Sequence, residues 1–159
     1  MNKILLVAFV VYSFFSFFGS QKGLVQGNLN EAQLQFVKQN FNWTTEDLLI
    51  VNFKQPRNKC HYDVYQNLKA STPWWTDFYS QMDLNNAQNI FVYSDSKRTK
   101  SRIDSLNHFA DFEDFFLTRF FSKDLTCEGV VIIHKNGAFK KKAGEYTQKE
   151  IAQFISELK

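Results

Sequence analysis

Gly129-Val130-Val131-Ile132-Ile133-His134-Lys135-Asn136-Gly137-Ala138-Phe139-Lys140-Lys141-Lys142-Ala143 is the stretch on which the fold turns. The unbroken β-branched run Val130 to Ile133 predicts a strand, because such side chains fit a pleated surface. Asn136-Gly137 is the strongest two-residue hairpin signal, so Ala138 to Ala143 is expected to return antiparallel. Lys140-Lys141-Lys142 then reads as a charged edge strand that resists pairing with other chains, ahead of an anionic-surface site. Beyond Gly144, Thr147 and Glu150 form a capping box for a helix carrying Ile151, Phe154, Ile155 and Leu158 on one face.

Upstream, two further strands are expected. Leu48-Leu49-Ile50-Val51-Asn52-Phe53 is nearly continuous in apolar character, as suits a strand covered on both faces. Asn89-Ile90-Phe91-Val92-Tyr93-Ser94 is the other. Helices are expected between and before them. Asn30 caps one beginning at Glu31, with Leu34, Val37 and Phe41 on one side. Lys59 to Leu68 forms another. Thr72-Pro73 reads as an N-cap with proline at the first helical position, opening a segment with Trp74, Trp75, Phe78, Tyr79 and Met82. Phe112, Phe115, Phe116 and Phe120 fall at helical spacing, predicting a helix over Phe109 to Phe121 that begins with Asp111, Glu113 and Asp114 as capping acids. Strands joined by helical crossovers lie parallel, and the crossovers are right-handed.

The 159 residues suffice for one domain with its own core. A formal net charge of +3 with no basic stripe excludes nucleic acid as a partner class, and two Pro and six Gly exclude a linker-rich chain. Residues 1–20 read as an export signal: Lys3, an apolar run from Ile4 to Phe18, then Gly19 and Ser20. The run is too short to span a bilayer, so contact with a membrane is expected only if this segment stays uncleaved. Residues 21–40 are then expected as an N-terminal helical extension and 41–159 as the domain. The expected location is periplasmic or secreted, where cysteines meet an oxidising environment.

A βαβ unit followed by a β-hairpin and a C-terminal helix resembles the thioredoxin-like superfamily, with its thioredoxin and peroxiredoxin members. Gly129 to Gly137, Phe139-Lys140, Gly144 and the amphipathic helix carry the likeness. It implies an α/β class fold, a three-layer α/β/α sandwich around a sheet of about four strands. The family's redox centre is degenerate here. The segment Lys54-Gln55-Pro56-Arg57-Asn58-Lys59-Cys60 holds one cysteine where the family has Cys-x-x-Cys, and Leu125-Thr126-Cys127-Glu128 lacks the family's cis-proline.

In that fold the loops holding Cys60 and Cys127 pack together, which implies a disulfide between them. Two readings follow. In one, the bridge is a staple in a domain that acts through binding or structure, with a protein or peptide partner. In the other, the chain is an atypical thiol–disulfide oxidoreductase or peroxidase. Cys60 thiolate, favoured by Lys59 and His61, attacks a disulfide or peroxide, and Cys127 resolves the intermediate. Trp74 and Trp75 are neighbours about 100° apart on a helix, so one faces the core and the other lies nearer the surface. The pair is read either as part of a large aromatic core or as a binding surface for a peptide or glycan. His61, His108 and His134 share no metal-ligand spacing, and neither a metal nor a cofactor is expected.

Overall fold

The structure is a computed structural model that describes residues 24–55, 60, 70–84 and 86–159. The export segment 1–20 lies outside the described residues, as does the helix expected over Lys59 to Leu68, apart from Cys60. The elements run β1 (Leu24–Asn28), α1 (Glu31–Asn40), β2 (Leu48–Lys54), α2 (Thr72–Ser80), β3 (Ala87–Tyr93), β4 (His108–Ala110), β5 (Glu128–His134), β6 (Ala138–Ala143) and α3 (Gln148–Leu158). One six-stranded sheet takes the order β1-β6-β5-β2-β3-β4. β3 lies parallel to β2 and β4 parallel to β3, whereas β5, β6 and β1 join by antiparallel pairings.

Every residue of β2 is buried, because alternate side chains feed two separate cores. Leu49, Val51 and Phe53 pack with Leu34 and Val37 of α1 and with Phe116, Phe120 and Phe121. Leu48 and Ile50 pack with Trp75 and Tyr79 of α2 and with Ile151, Phe154 and Ile155 of α3. Helices thus cover both faces, and a strand apolar on both sides is the sequence's answer to that geometry. The capping box expected at α3, Thr147 with Glu150, forms, and the Asn30 cap expected at α1 proves to be a box with Gln33. At α2 the N-cap is Ser71 rather than Thr72, whose hydroxyl is occupied elsewhere.

Among the described residues the sheet has six strands, not about four. The segment 21–40, read as helical, contains β1, which runs antiparallel along β6 from Leu24 opposite Lys142 to Asn28 opposite Ala138. β6 is therefore an inner strand, which corrects the edge reading of its lysines. Each of them instead meets a carboxylate: Lys140 that of Glu157, Lys141 that of Asp124 at 2.5 Å, and Lys142 that of Glu150 at 2.5 Å. The β5–β6 turn holds three residues, Lys135 to Gly137, between the strand ends, with Gly137 at φ 95°, where a side chain is unwelcome.

The expected helix over Phe109 to Phe121 is broken. Its start is β4, paired with β3 through Phe91 and His108, Val92 and Phe109, and Tyr93 and Ala110. A 3-10 turn, Phe112–Asp114, follows with Glu113 at φ 53° and Asp114 at φ 51°, left-handed values that strain non-glycine residues. Leu117–Phe121 winds as a π-helix, which sets Phe116 and Phe121 one wide turn apart with both buried. Phe121 stacks on Phe53 at 4.5 Å between ring centres, and Phe116 meets Phe41 at 5.1 Å.

The Asp111 carboxylate joins these pieces, accepting the backbone N–H of Phe116 at 2.9 Å and of Leu117 at 2.8 Å. It therefore holds the start of the later helical piece, whereas the sequence places it with Glu113 and Asp114 at the start of one continuous helix. Burial pushes its pKa up to about 6 against those two donors, with the nearby Asp114 charge adding to the rise. Because the folded value lies above the ordinary 3.8, this group's stabilising contribution is full below about pH 4 and is lost as pH rises through about 6. Comparison with Asp111→Asn isolates its contribution. The stability difference, wild type minus variant, is expected to fall by about 1 kcal/mol between pH 5 and pH 7 in urea titrations. A constant difference would show that the carboxyl is not held protonated.

Gly129 is demanded by packing. A Cβ there would strike the Phe121 ring and come within 2.8 Å of the Lys142 carbonyl oxygen. Gly129→Ala is expected to destabilise by about 1–3 kcal/mol, with partial recovery in Gly129→Ala/Phe121→Leu, read by chemical denaturation.

Candidate functional site

The loop after β2 and the loop before β5 meet at one end of the sheet. The Gln55 N–H donates to the Cys127 carbonyl at 2.8 Å, extending the β2–β5 ladder one step past Lys54 opposite Glu128. Cys60 and Cys127 are joined in a disulfide, with Cα atoms 5.7 Å apart. Cys60 is only 3% exposed, while Cys127 is half-buried. His61, the expected thiolate modulator, lies outside the described residues.

Beside the bridge stands a buried cation. Lys54, the last residue of β2, places its Nζ 2.5 Å from a Glu128 carboxylate oxygen and 3.7 Å from the centre of the Trp75 ring. A charge taken out of water needs such compensation, here one carboxylate and one aromatic face. This contact also gives Trp75 a polar reason to face inward.

Deeper in the same face, Asn52 interrupts the apolar run of β2. Its Nδ2 donates to Asn89 Oδ1 at 2.7 Å and to the Ile90 carbonyl at 2.8 Å. Its Oδ1 accepts from the Tyr146 hydroxyl at 2.6 Å and from the Tyr79 hydroxyl. The amide thereby uses its full donor and acceptor capacity. Burial drives the Tyr79 phenol above its ordinary pKa, so it remains a neutral donor. One amide ties α2, β3 and the turn before α3 to the central strand.

The two tryptophans separate. Trp75 is 7% exposed, whereas Trp74 is 56% exposed with Phe78 at 5.2 Å between ring centres. The reading in which both fill the core is corrected: the 100° step between neighbours turns one outward. His134 sits at the far end of β5, where its Nδ1 accepts from the Asn136 N–H. His108, to which its sequence context assigned no role, lies in a polar chain. Arg102 Nη2 donates to His108 Nε2 at 3.1 Å and to Thr72 Oγ1 at 2.8 Å, and His108 Nδ1 faces Asp104 Oδ2 at 2.9 Å. Arginine only donates, so Nε2 accepts and Nδ1 carries the proton toward Asp104. Three backbone N–H groups, of Leu106, Asn107 and His108, also reach the Asp104 carboxylate, and they and the His108 ring hold its pKa well below the usual range despite partial burial.

The structure thus brings Cys60 and Cys127 together and sets Trp75 beside them through Lys54, while Trp74 faces solvent. Sequence reading missed Asn52, Lys54, Tyr79, Arg102 and Tyr146 as site residues. The available signal was a polar pair, Asn52 and Lys54, in a strand otherwise apolar on both faces. No protein-family model matches this chain, and no curated protein matches it.

Proposed function

We propose that this is an exported domain of thioredoxin-like fold that has lost its redox centre and acts by binding, with Cys60–Cys127 as a permanent staple. The observation that carries this reading is the burial of Cys60 at 3% exposure within the bond. An attacking cysteine must reach its substrate as a thiolate, and a sulfur closed off from solvent is poorly placed to do so. The inner strand order β6-β5-β2-β3, with β5 antiparallel to both neighbours, supports the fold assignment, and β1 and β4 are additions at its edges. The bridge itself supports export to an oxidising compartment.

Equilibration with glutathione or dithiothreitol tests the staple. A reduction potential below about −300 mV is expected, with no insulin reduction and no peroxide consumption. A potential near −270 mV or higher, with turnover that disappears in Cys60→Ser, would instead make the chain an oxidoreductase resolved by Cys127.

A further inference from the structure

Between α2 and the outer strands β3 and β4 lies a cavity of about 440 Å³, within the range of small-molecule sites. Trp75, Phe91 and Tyr93 give it aromatic walls, and Lys54, Arg102 and His108 give it basic ones. Among the described residues no carboxylate lines it. Two of these bases already face an acid that does not line the cavity: Lys54 pairs with Glu128, and Asp104 lies on the side of the His108 ring away from Arg102.

Arg102 holds the decisive group. Its Nη2 is anchored on Thr72 and His108, which fixes the guanidinium plane. Its Nε is buried and has no hydrogen-bond partner. A buried, permanently charged donor left without an acceptor is costly, so a ligand oxygen that reaches this guanidinium, with the small shift needed to open Nε, gains a charge-assisted bond. His108 stacks on Phe91 at 5.3 Å between ring centres, holding the imidazole beside an aromatic wall suited to a flat ring.

The geometry points to a binding site for a small aromatic anion, its carboxylate or phosphate held by Arg102 and its ring lying against Trp75 and Phe91. This assignment rests on the binding role proposed above and names its site. Redox measurements decide the staple and a titration decides the cavity, so the two readings fail separately.

The test is calorimetric titration of the full chain with benzoate and with phenyl phosphate, against benzyl alcohol and inorganic phosphate as probes carrying only the ring or only the charge. Saturable binding of at least one aromatic anion is expected, at least tenfold tighter than either control and weakening as salt is raised. The tighter of the two anions identifies the acidic group. Arg102→Gln is expected to weaken binding at least tenfold, and Arg102→Lys less. Thr76→Phe, placed on the exposed side of α2 where it fills the mouth, is expected to block binding without unfolding the chain, and it decides the matter if Arg102→Gln does not fold. Absence of saturable binding by both anions, equal binding of benzyl alcohol, or unchanged affinity in Thr76→Phe would overturn the assignment.

Discussion

Replacing Cys60 and Cys127 together by serine is expected to lower the unfolding free energy by about 4 kcal/mol, the chain-entropy value for releasing a loop with a sequence separation of 67. A domain of this size is held by only about 5–15 kcal/mol, so the variant should melt more than about 10 °C below the parent and be prone to unfold at body temperature. The effect acts through the unfolded ensemble, which regains the freedom to separate the two loops. It should therefore appear equally in the wild type treated with reductant strong enough to open the bridge. Thermal denaturation followed by circular dichroism, with and without reductant, provides the measurement. A double variant as stable as the parent would show that the ladder past Lys54 and the Lys54–Glu128 pair already hold that end of the sheet without a covalent link.

Asn52→Leu should produce the other large loss, about 3 kcal/mol. Leucine keeps the branched shape but leaves the buried Tyr79 and Tyr146 hydroxyls without their shared acceptor and the half-buried Asn89 side-chain oxygen without this donor. The cost lies in those orphaned groups rather than in the lost bonds. Adding Tyr79→Phe and Tyr146→Phe removes two of the three orphans, so the triple variant should recover at least half of the loss in urea titrations. A triple variant no more stable than Asn52→Leu would assign the penalty to packing instead of unsatisfied polarity.

How far the fold could be read from sequence follows from how each element is buried. β2 and β5 lie between two apolar layers and β3 is buried toward its end, so their apolar runs stand out, and the Asn30 cap and the Thr147–Glu150 box mark two helix starts. β1 was missed because an edge strand half open to solvent needs few apolar residues: Leu-Val-Gln-Gly-Asn buries little. β4 was missed for the opposite reason. Its Phe109 keeps helical step with the phenylalanines that follow, yet those rings reach the core through a kink at Glu113 and Asp114 and a wide turn after Phe116. The bridge was legible only through the resemblance, since nothing in spacing alone pairs two distant cysteines. The cavity was not legible at all. Lys54, Trp75, Phe91, Arg102 and His108 come from three strands, a helix and a loop, and their charge and aromatic character acquire meaning only once the sheet order sets them side by side.

The pairing of β1 with β6 has a consequence for how the molecule is made. Leu24 leaves the ribosome more than a hundred residues before its partner Lys142, so the earliest of the described strands is among the last to find a neighbour. Such a distant closure is slow, because much of the chain must already be arranged before it is rewarded. Until then the outer side of β6 is open to other chains. A chain ending anywhere before β6 leaves β1 nothing to pair with, so the length of the nascent polypeptide, more than any local preference of Leu24 to Asn28, sets when this side of the sheet is sealed.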